Sequence, residues 1–397
     1  MKLVFFNRFF HPDTSATSQI VSDLAFELAR AGRDVHVVTS RVPDRGAPTE
    51  AIHDLTVHRV ADATTGPHGL ARRAVAYLDY LLGARRSAMQ YLSAGDTVIL
   101  MTDPPMLAAS IAPLARKRGA KVIVWLQDLF PEVAKEYGIP GVGGPGGALL
   151  RRMRDRSLSS ADAVVAIGDE MAARVRALDC MEPHRLHVIH NWADGRAIAP
   201  MNAAGSPLRR AWALEGKFVV AYSGNLGRVH EFGTLLDAAA RLRSHADIQF
   251  VVIGRGPRLA EVEARVDRER LGNVRFEPHQ DRALLSESLG LADVHLSILR
   301  PEFEGLVQPS KLYGIMAAGR PAIFVGRVTG ETARILAETS SGLSVATGDG
   351  AGLAAAILRL RDDPPERLAM GSRARTAFEV RYDMPVAMAK WASLLAA

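Results

Sequence analysis

"KFVVAYSG", Lys217–Gly224, decides the fold, because it restarts a rhythm that the chain has already run through once. An apolar run of strand length ends in a glycine, and an amphipathic helix is expected over 232–245. "IQFVVIG", "VRFEP", "ADVHLSIL", "PAIFVG" and "GLSVA" continue the pattern toward the C-terminus. They alternate with helices expected near 258–270, 281–289, 311–318 and 330–339. Short apolar strands separated by helical segments of this length form parallel βαβ units in a doubly wound sheet.

Read back toward the N-terminus, the same alternation runs through "KLVFF", "DVHVVTS", "LTVHRV", "DTVILM", "AKVIVWL", "ADAVVAI" and "LHVIHN". Helices fill the gaps, among them 18–31 and a long one over 69–92. The polar, Pro/Gly-bearing stretch "HNWADGRAIAPMNAAGSPLRR" separates the two series and reads as a linker. The expected architecture is therefore α/β, with two Rossmann-like, doubly wound parallel-sheet domains over 1–195 and 196–380. A last segment, 381–397, carries a helix expected to cross back to the first domain. Two such domains joined by a hinge create a cleft, and ligands of such sheets bind at the carboxyl ends of the strands.

The 397 residues suit two domains, and 48% hydrophobic with 23% charged residues is an ordinary globular composition. A single cysteine, Cys180, excludes an internal disulfide and fits a reducing cytoplasm. The opening "MKLVFF" is cut off by Asn7, Arg8 and His11, so it reads as a strand and not as a leader. No window reaches the roughly 18 apolar residues of a membrane span. The net charge of +6 favours an anionic ligand or surface. No zinc finger or aromatic RNA-binding motif is present, which ranks nucleic acid below small anions and anionic lipid. No G-x-G-x-x-G follows the first strand, so a nicotinamide or flavin site there is not expected, and "IGRGPR" at 253–258 carries only G-x-G.

"YSGNLGRVHEF", "VVIGRGP", "VRFEP", "ADVHLSIL", "PSKLYGIMAAGRP" and "SSGLSVATGDG" occur in a set order. Together they resemble the donor-binding half of the retaining, GT-B-fold glycosyltransferases of family 4. "RFFHPDTSATSQIVSDLAFELARAGRDVHVVTSR", "LQDLFPEVA" and "VIHNWAD" resemble the first half of a subgroup that builds bacterial surface polysaccharides, the colanic-acid and O-antigen N-acetylfucosaminyl-type transferases. The resemblance implies a UDP-sugar donor carrying an N-acetylated hexosamine or deoxy-hexosamine. It also implies an undecaprenyl-diphosphate-linked glycan acceptor, transfer with retention, and work at the cytoplasmic face of the inner membrane. A UDP-sugar hydrolase or epimerase on the same fold is the enzymatic alternative, and a non-catalytic nucleotide-sugar-binding homologue is the other.

The departing diphosphate needs its growing negative charge stabilised. The sequence contains no Asp-x-Asp, so no metal is expected, and cationic side chains with a helix N-terminus are expected instead. In "QPSK", Ser310 is expected to cap the following helix and Lys311 to add a point charge; the alternative is a plain helix start with a solvated lysine. In "SGNLGR", Gly224 permits close backbone approach, Asn225 and His230 stand where the family carries arginine and lysine, and Arg228 takes the cationic role. The alternative there is a strand-to-helix turn with an exposed arginine. The family also carries two glutamates, one for the sugar and one for the ribose. Alignment puts Gly314 at the second, leaving Glu304 for the first and Glu331 as the substitute at the ribose.

Retaining transfer on one sugar face needs positioning more than a nucleophile. Where family members carry His-Asp, this chain has Gln127-Asp128, with Gln127 for a sugar hydroxyl and Asp128 as the catalytic carboxylate; an N-cap or turn aspartate is the alternative. His11, Thr14, Ser15 and Ser18 follow the first strand and are expected either to bind acceptor hydroxyls or to cap the next helix. The segment 69–92 sets Arg72, Arg73, Arg85 and Arg86 among tyrosines and leucines, and "LLRRMRDR" at 149–156 adds four more arginines. Such segments fit peripheral contact with anionic lipid or, alternatively, a helix with an arginine-rich solvent face.

Overall fold

The computed structural model describes residues 1–41, 48–62 and 70–397. These form two compact units, Met1–Ile189 with Gly305–Gln308, and His190–Glu304 with Pro309–Ala397. The first unit holds strands β1 (Lys2–Phe6), β2 (Asp34–Arg41), β3 (Thr49–Ile52), β4 (Leu55–Asp62), β5 (Thr97–Leu100), β6 (Lys121–Leu126), β7 (Ala163–Ala166) and β8 (Leu186–Val188). They form one sheet in the order β3-β4-β2-β1-β5-β6-β7-β8, parallel except for the β3–β4 pair. The second unit holds β9 (Phe218–Ser223), β10 (Ile248–Ile253), β11 (Val274–Glu277), β12 (Val294–Ile298), β13 (Ala322–Gly326) and β14 (Gly342–Ala346). Its sheet is wholly parallel, in the order β11-β10-β9-β12-β13-β14.

Helices on both faces of a parallel sheet bury its strands twice over, which is why the central strands read as continuous apolar runs. Leu3 to Phe6, Val98 to Leu100 and Val219 to Tyr222 are all essentially inaccessible. In each sheet the chain leaves the first strand in one direction and later returns to its other side. β1 is flanked by β2 and β5, and β9 by β10 and β12. That reversal leaves a crevice at the carboxyl ends of β1 and β5 in one unit, and of β9 and β12 in the other.

Two features differ from expectation. The short antiparallel β3, "TEAI", carries too little apolar pattern to be read as a strand. The division between units falls at Ile189/His190 and not at 195/196. Arg375 explains this by holding the linker, its guanidinium donating to the carbonyls of Ile198 at 2.8 Å and Gly195 at 3.2 Å. The last helix, Met384–Ala396, groups with the second unit. Its start is tied to residues of that same unit. Met384 N–H donates to Ala193 at 3.0 Å, and Gly195 N–H donates to the Asp383 carboxylate at 2.9 Å.

Candidate active site

In the second unit, β9 ends at Tyr222 and Ser223, and Gly224 follows with φ +133°, a conformation open to glycine and strained for other residues. Gly254, after β10, runs so close that a Cβ on it would lie 2.0 Å from the Gly224 carbonyl. A Cβ on Gly256 would strike Asn225 and Leu226. The two glycines of "IGRGP" therefore serve the packing of the 224–226 loop.

Lys311 reaches this loop from the helix Lys311–Ala317, which follows β12. Its Nζ lies 2.5 Å from the Tyr222 hydroxyl, 3.8 Å above the Tyr222 ring and 3.5 Å from His230 Nε2. A Cβ on Gly224 would stand 3.7 Å from that Nζ. Among the described residues no carboxylate pairs with Lys311. Burial pushes the Lys311 amine down to about 7. Burial first, and then the neighbouring Lys311, pushes His230 down to about 2, so its imidazole is neutral.

Ser310 does not make the expected cap: its backbone is already helical at φ −58°, and its side chain bonds no N–H of the first turn. The turn is closed by backbone bonds from Leu312 to Pro309 and from Tyr313 to Ser310, which leave no place for a side-chain cap. Arg228 is exposed, while the cation beside Gly224 is Lys311. Asn225 is exposed as well, and its carbonyl accepts the Tyr222 hydroxyl at 2.8 Å. At Gly314 an added Cβ would press on the Leu289 side chain at 3.2 Å, so this position faces apolar surroundings.

Glu304 and Glu331 meet at one helix start. Glu304 is 3% exposed, and its carboxylate occupies the space a Cβ on Gly330 would need. Gly330 is the N-cap of the helix Glu331–Glu338. Glu331, 1% exposed, has His190 Nε2 at 3.4 Å. Carboxylates are favoured at that end of the helix dipole.

In the first unit, the crevice beside β1 is spanned by Arg8 and Asp103, which follow β1 and β5. Arg8 N–H donates to the Asp103 carbonyl at 2.9 Å, and its Nε lies 3.1 Å from the Asp103 carboxylate. The guanidinium also stacks on Phe9 at 4.1 Å and Tyr77 at 4.6 Å. Burial raises the Asp103 carboxyl against the opposing pull of Arg8. Asp128 lies just beyond β6, and burial raises its carboxyl to about 6, opposed by the hydrogen bond with Thr102 and reinforced by Asp103. Its Oδ1 is buried with no partner among the described residues. It caps nothing, since the next helix, Glu132–Glu136, has Pro131 as its N-cap. Residues 305–308 lie alongside: Leu129 N–H donates to the Leu306 carbonyl at 2.9 Å. Gln127 N–H points at the Thr102 hydroxyl at 3.4 Å.

Two of the four expected acceptor residues are committed to local structure. Ser15 caps the helix Ala16–Arg30 by accepting from Ser18 N–H, and the buried Ser18 hydroxyl donates to the Asp13 carbonyl at 2.9 Å. Thr14 and His11 are exposed, with the His11 ring edge-on to Phe26. The sequence reading missed Arg8, Thr102, Asp103 and Tyr222. Each lies at the carboxyl end of a strand, but which strands flank the reversal depends on strand order, and the local pattern does not carry that.

Two doubly wound sheets, with the Lys311 amine set against the glycine loop at the reversal of the second, define the class: a two-domain protein of GT-B architecture. Residues 15–192 match the family profile described as Glycosyl transferase 4-like domain, and 217–363 match Glycosyl transferases group 1. The chain belongs to the GT-B glycosyltransferases of family 4. It is 29% identical to the probable glycosyltransferase WbjE of Pseudomonas aeruginosa over 75% of this chain and 74% of that one. It is 28% identical to the putative colanic acid biosynthesis glycosyl transferase WcaI of Escherichia coli over 63% of this chain and 62% of that one. Among solved structures, sucrose-phosphate synthase from Thermosynechococcus elongatus superposes with TM-score 0.79 at 18% identity, covering 100% of this chain and 98% of that one. Anabaena HepE in complex with UDP superposes with TM-score 0.74 at 16% identity, covering 100% of both chains. These likenesses establish the fold.

Proposed function

We propose that the chain transfers a sugar, an N-acetylated hexosamine or deoxy-hexosamine, from a UDP-activated donor to a lipid-linked glycan in bacterial polysaccharide synthesis. One observation carries the donor half of this reading: an amine without a carboxylate partner stands against a glycine loop at the strand reversal of the second sheet. That is where a diphosphate gains both backbone approach and positive charge. The UDP held by HepE on the same fold supports the choice of nucleotide, and WbjE and WcaI support the polysaccharide setting. Lys311 then stabilises the leaving diphosphate without a metal, and Asp128 is the first unit's carboxylate at the reacting centre. Retention is the stereochemistry that the resemblance implies, with the departing phosphate taking the acceptor proton.

Calorimetry with UDP, and with GDP as comparator, tests the donor assignment. UDP should bind, and Lys311→Ala should weaken it by roughly tenfold or more, the worth of one hydrogen bond to a charged group. GDP binding in preference to UDP would overturn the nucleotide, and unchanged affinity in Lys311→Ala would remove Lys311 from the phosphate site. With donor and membrane extract, activity should survive EDTA, whereas loss restored by a divalent ion would overturn the metal-free reading. Donor consumption indifferent to acceptor would make the enzyme a hydrolase.

The lipid-linked acceptor is supported by one surface of the first unit. On the helix Leu70–Tyr91, Val75, Leu78, Leu82 and Met89 are exposed at helical spacing, beside exposed Arg72, Arg85 and Arg86. Gly69 and the side chain of Arg73 lie outside the described residues. The helix Gly144–Ser159 exposes Leu149 and Met153 with Arg152 and Arg156, and the helix Leu107–Lys117 packs between the two. Apolar side chains framed by arginines match an anionic bilayer surface. No described helix is long and apolar enough to cross a membrane.

A further inference from the structure

We propose that docking of the donor is proton-linked: the Lys311 amine takes up a proton from solvent as the diphosphate arrives, and Tyr222 is the positioning residue that holds the amine for it. The inference rests on the nucleotide-sugar reading and adds a pH-sensing step to it.

The hydrogen bonds around Tyr222 fix the polarity. Its hydroxyl has a single proton, and that proton goes to the Asn225 carbonyl at 2.8 Å. Only lone pairs remain to face Lys311 Nζ at 2.5 Å, so the lysine must donate. His230 Nε2, at 3.5 Å, faces the same nitrogen and serves as acceptor when Nδ1 carries the ring proton. Lys311 is thus seated on two neutral acceptors and an aromatic face, with no anion among the described residues pairing with it.

Among the described residues, the charged groups next to this site are engaged elsewhere. Arg258, at the head of the helix Leu259–Glu269, donates to the His230 carbonyl at 2.6 Å and pairs with Glu261. Glu231, beside His230, turns away to cap Gly233 and Thr234. Arg300, after β12, donates to the Arg228 carbonyl at 3.4 Å and pairs with Glu302. Each cation in this set is paired with a carboxylate of its own, and it is burial that disfavours the ammonium. With the amine pushed down to about 7, a large share of the molecules carry it neutral in mildly alkaline solution. A diphosphate reverses the balance, because an adjacent anion favours the charged form. Affinity must then depend on pH wherever the free amine is neutral and the bound one charged.

The test uses the full chain with its seven lysines 13C-labelled at Cε, Lys311 being assigned by the signal lost in Lys311→Arg. Without ligand the Lys311 signal should titrate near neutrality, and saturating UDP should raise its midpoint by at least about one pH unit. Calorimetry from about pH 7.5 to about pH 9 stays above the phosphate's own ionisation near 6. In buffers of different ionisation enthalpy it should show proton uptake, with affinity falling up to about tenfold per pH unit. Lys311→Arg should bind with a flat profile, since guanidinium does not titrate there. Tyr222→Phe should move the free midpoint to lower pH, a change that a merely structural tyrosine would not cause. A ligand-free midpoint near the ordinary value of about 10 overturns the proposal. UDP bound without proton uptake overturns it while the donor reading stands. UDP that binds at no pH overturns both.

Discussion

Asp128 combines two demands that pull against each other. Its carboxyl, raised to about 6 by burial, is neutral more easily than an ordinary aspartate, so the folded state penalises its ionised form. The sign follows: the folded group has the higher pKa, so its favourable contribution is complete only below the unfolded value near 4. That contribution is lost as pH rises through about 6. Asp128→Asn should therefore raise unfolding stability at pH 8 by on the order of 1–3 kcal/mol, with the gain shrinking as pH falls from 6 toward 4. The same change should lower turnover while sparing UDP affinity. Denaturant curves at pH 8 and pH 4.5, set beside turnover, check both halves; near-wild-type turnover would end the catalytic role. Gly330 makes a second prediction at this scale. Its φ of −77° suits any residue, so the cost of Gly330→Ala comes from the Glu304 carboxylate that fills the Cβ position. About 1–3 kcal/mol should be lost, most of it recovered in the double variant Gly330→Ala/Glu304→Ala. An additive double-mutant cycle would show that the two do not share the space.

Helices carry the next level. The helix Ala16–Arg30 begins on a Ser15 cap, and Ser15→Ala should cost about 0.5–2 kcal/mol in urea unfolding without altering turnover. A specific loss of acceptor binding would restore the ligand role expected from the sequence. The helix Leu70–Tyr91 poses the opposite case, a face left open and not a side chain committed. Replacing Leu78 and Leu82 by serine should weaken binding to anionic liposomes at every salt concentration, whereas replacing Arg85 and Arg86 should weaken it chiefly at low salt. Equal binding by all variants would make this face plain solvent surface.

At the scale of the whole molecule, the fold was legible because it is written twice in a local code. The continuous apolar runs of β1, β5, β9 and β12 announce strands buried on both faces, and the intervening amphipathic stretches announce parallel connections. Elements escaped that reading where the pattern is thin, as in β3, or where side chains from distant segments decide, as with Arg375 and Asp383 holding residues 193–198 to the second unit. Of the candidate site, the sequence marked Gly224, Lys311 and Asp128 as positions capable of binding or charge chemistry. Ser310 as a cap was wrong because the turn closes through backbone bonds that start at Pro309.

The sequence by itself determined the strand–helix alternation, the two-sheet architecture and the family, since periodicity and ordered motifs are local properties of the chain. Only the tertiary structure decided which cation stands at the Gly224 loop. Tyr222 and Lys311 are 89 residues apart, and they meet because β12 lies beside β9. A lysine read as a point charge on a helix start became an amine on neutral acceptors, whose protonation depends on neighbours that no local pattern specifies.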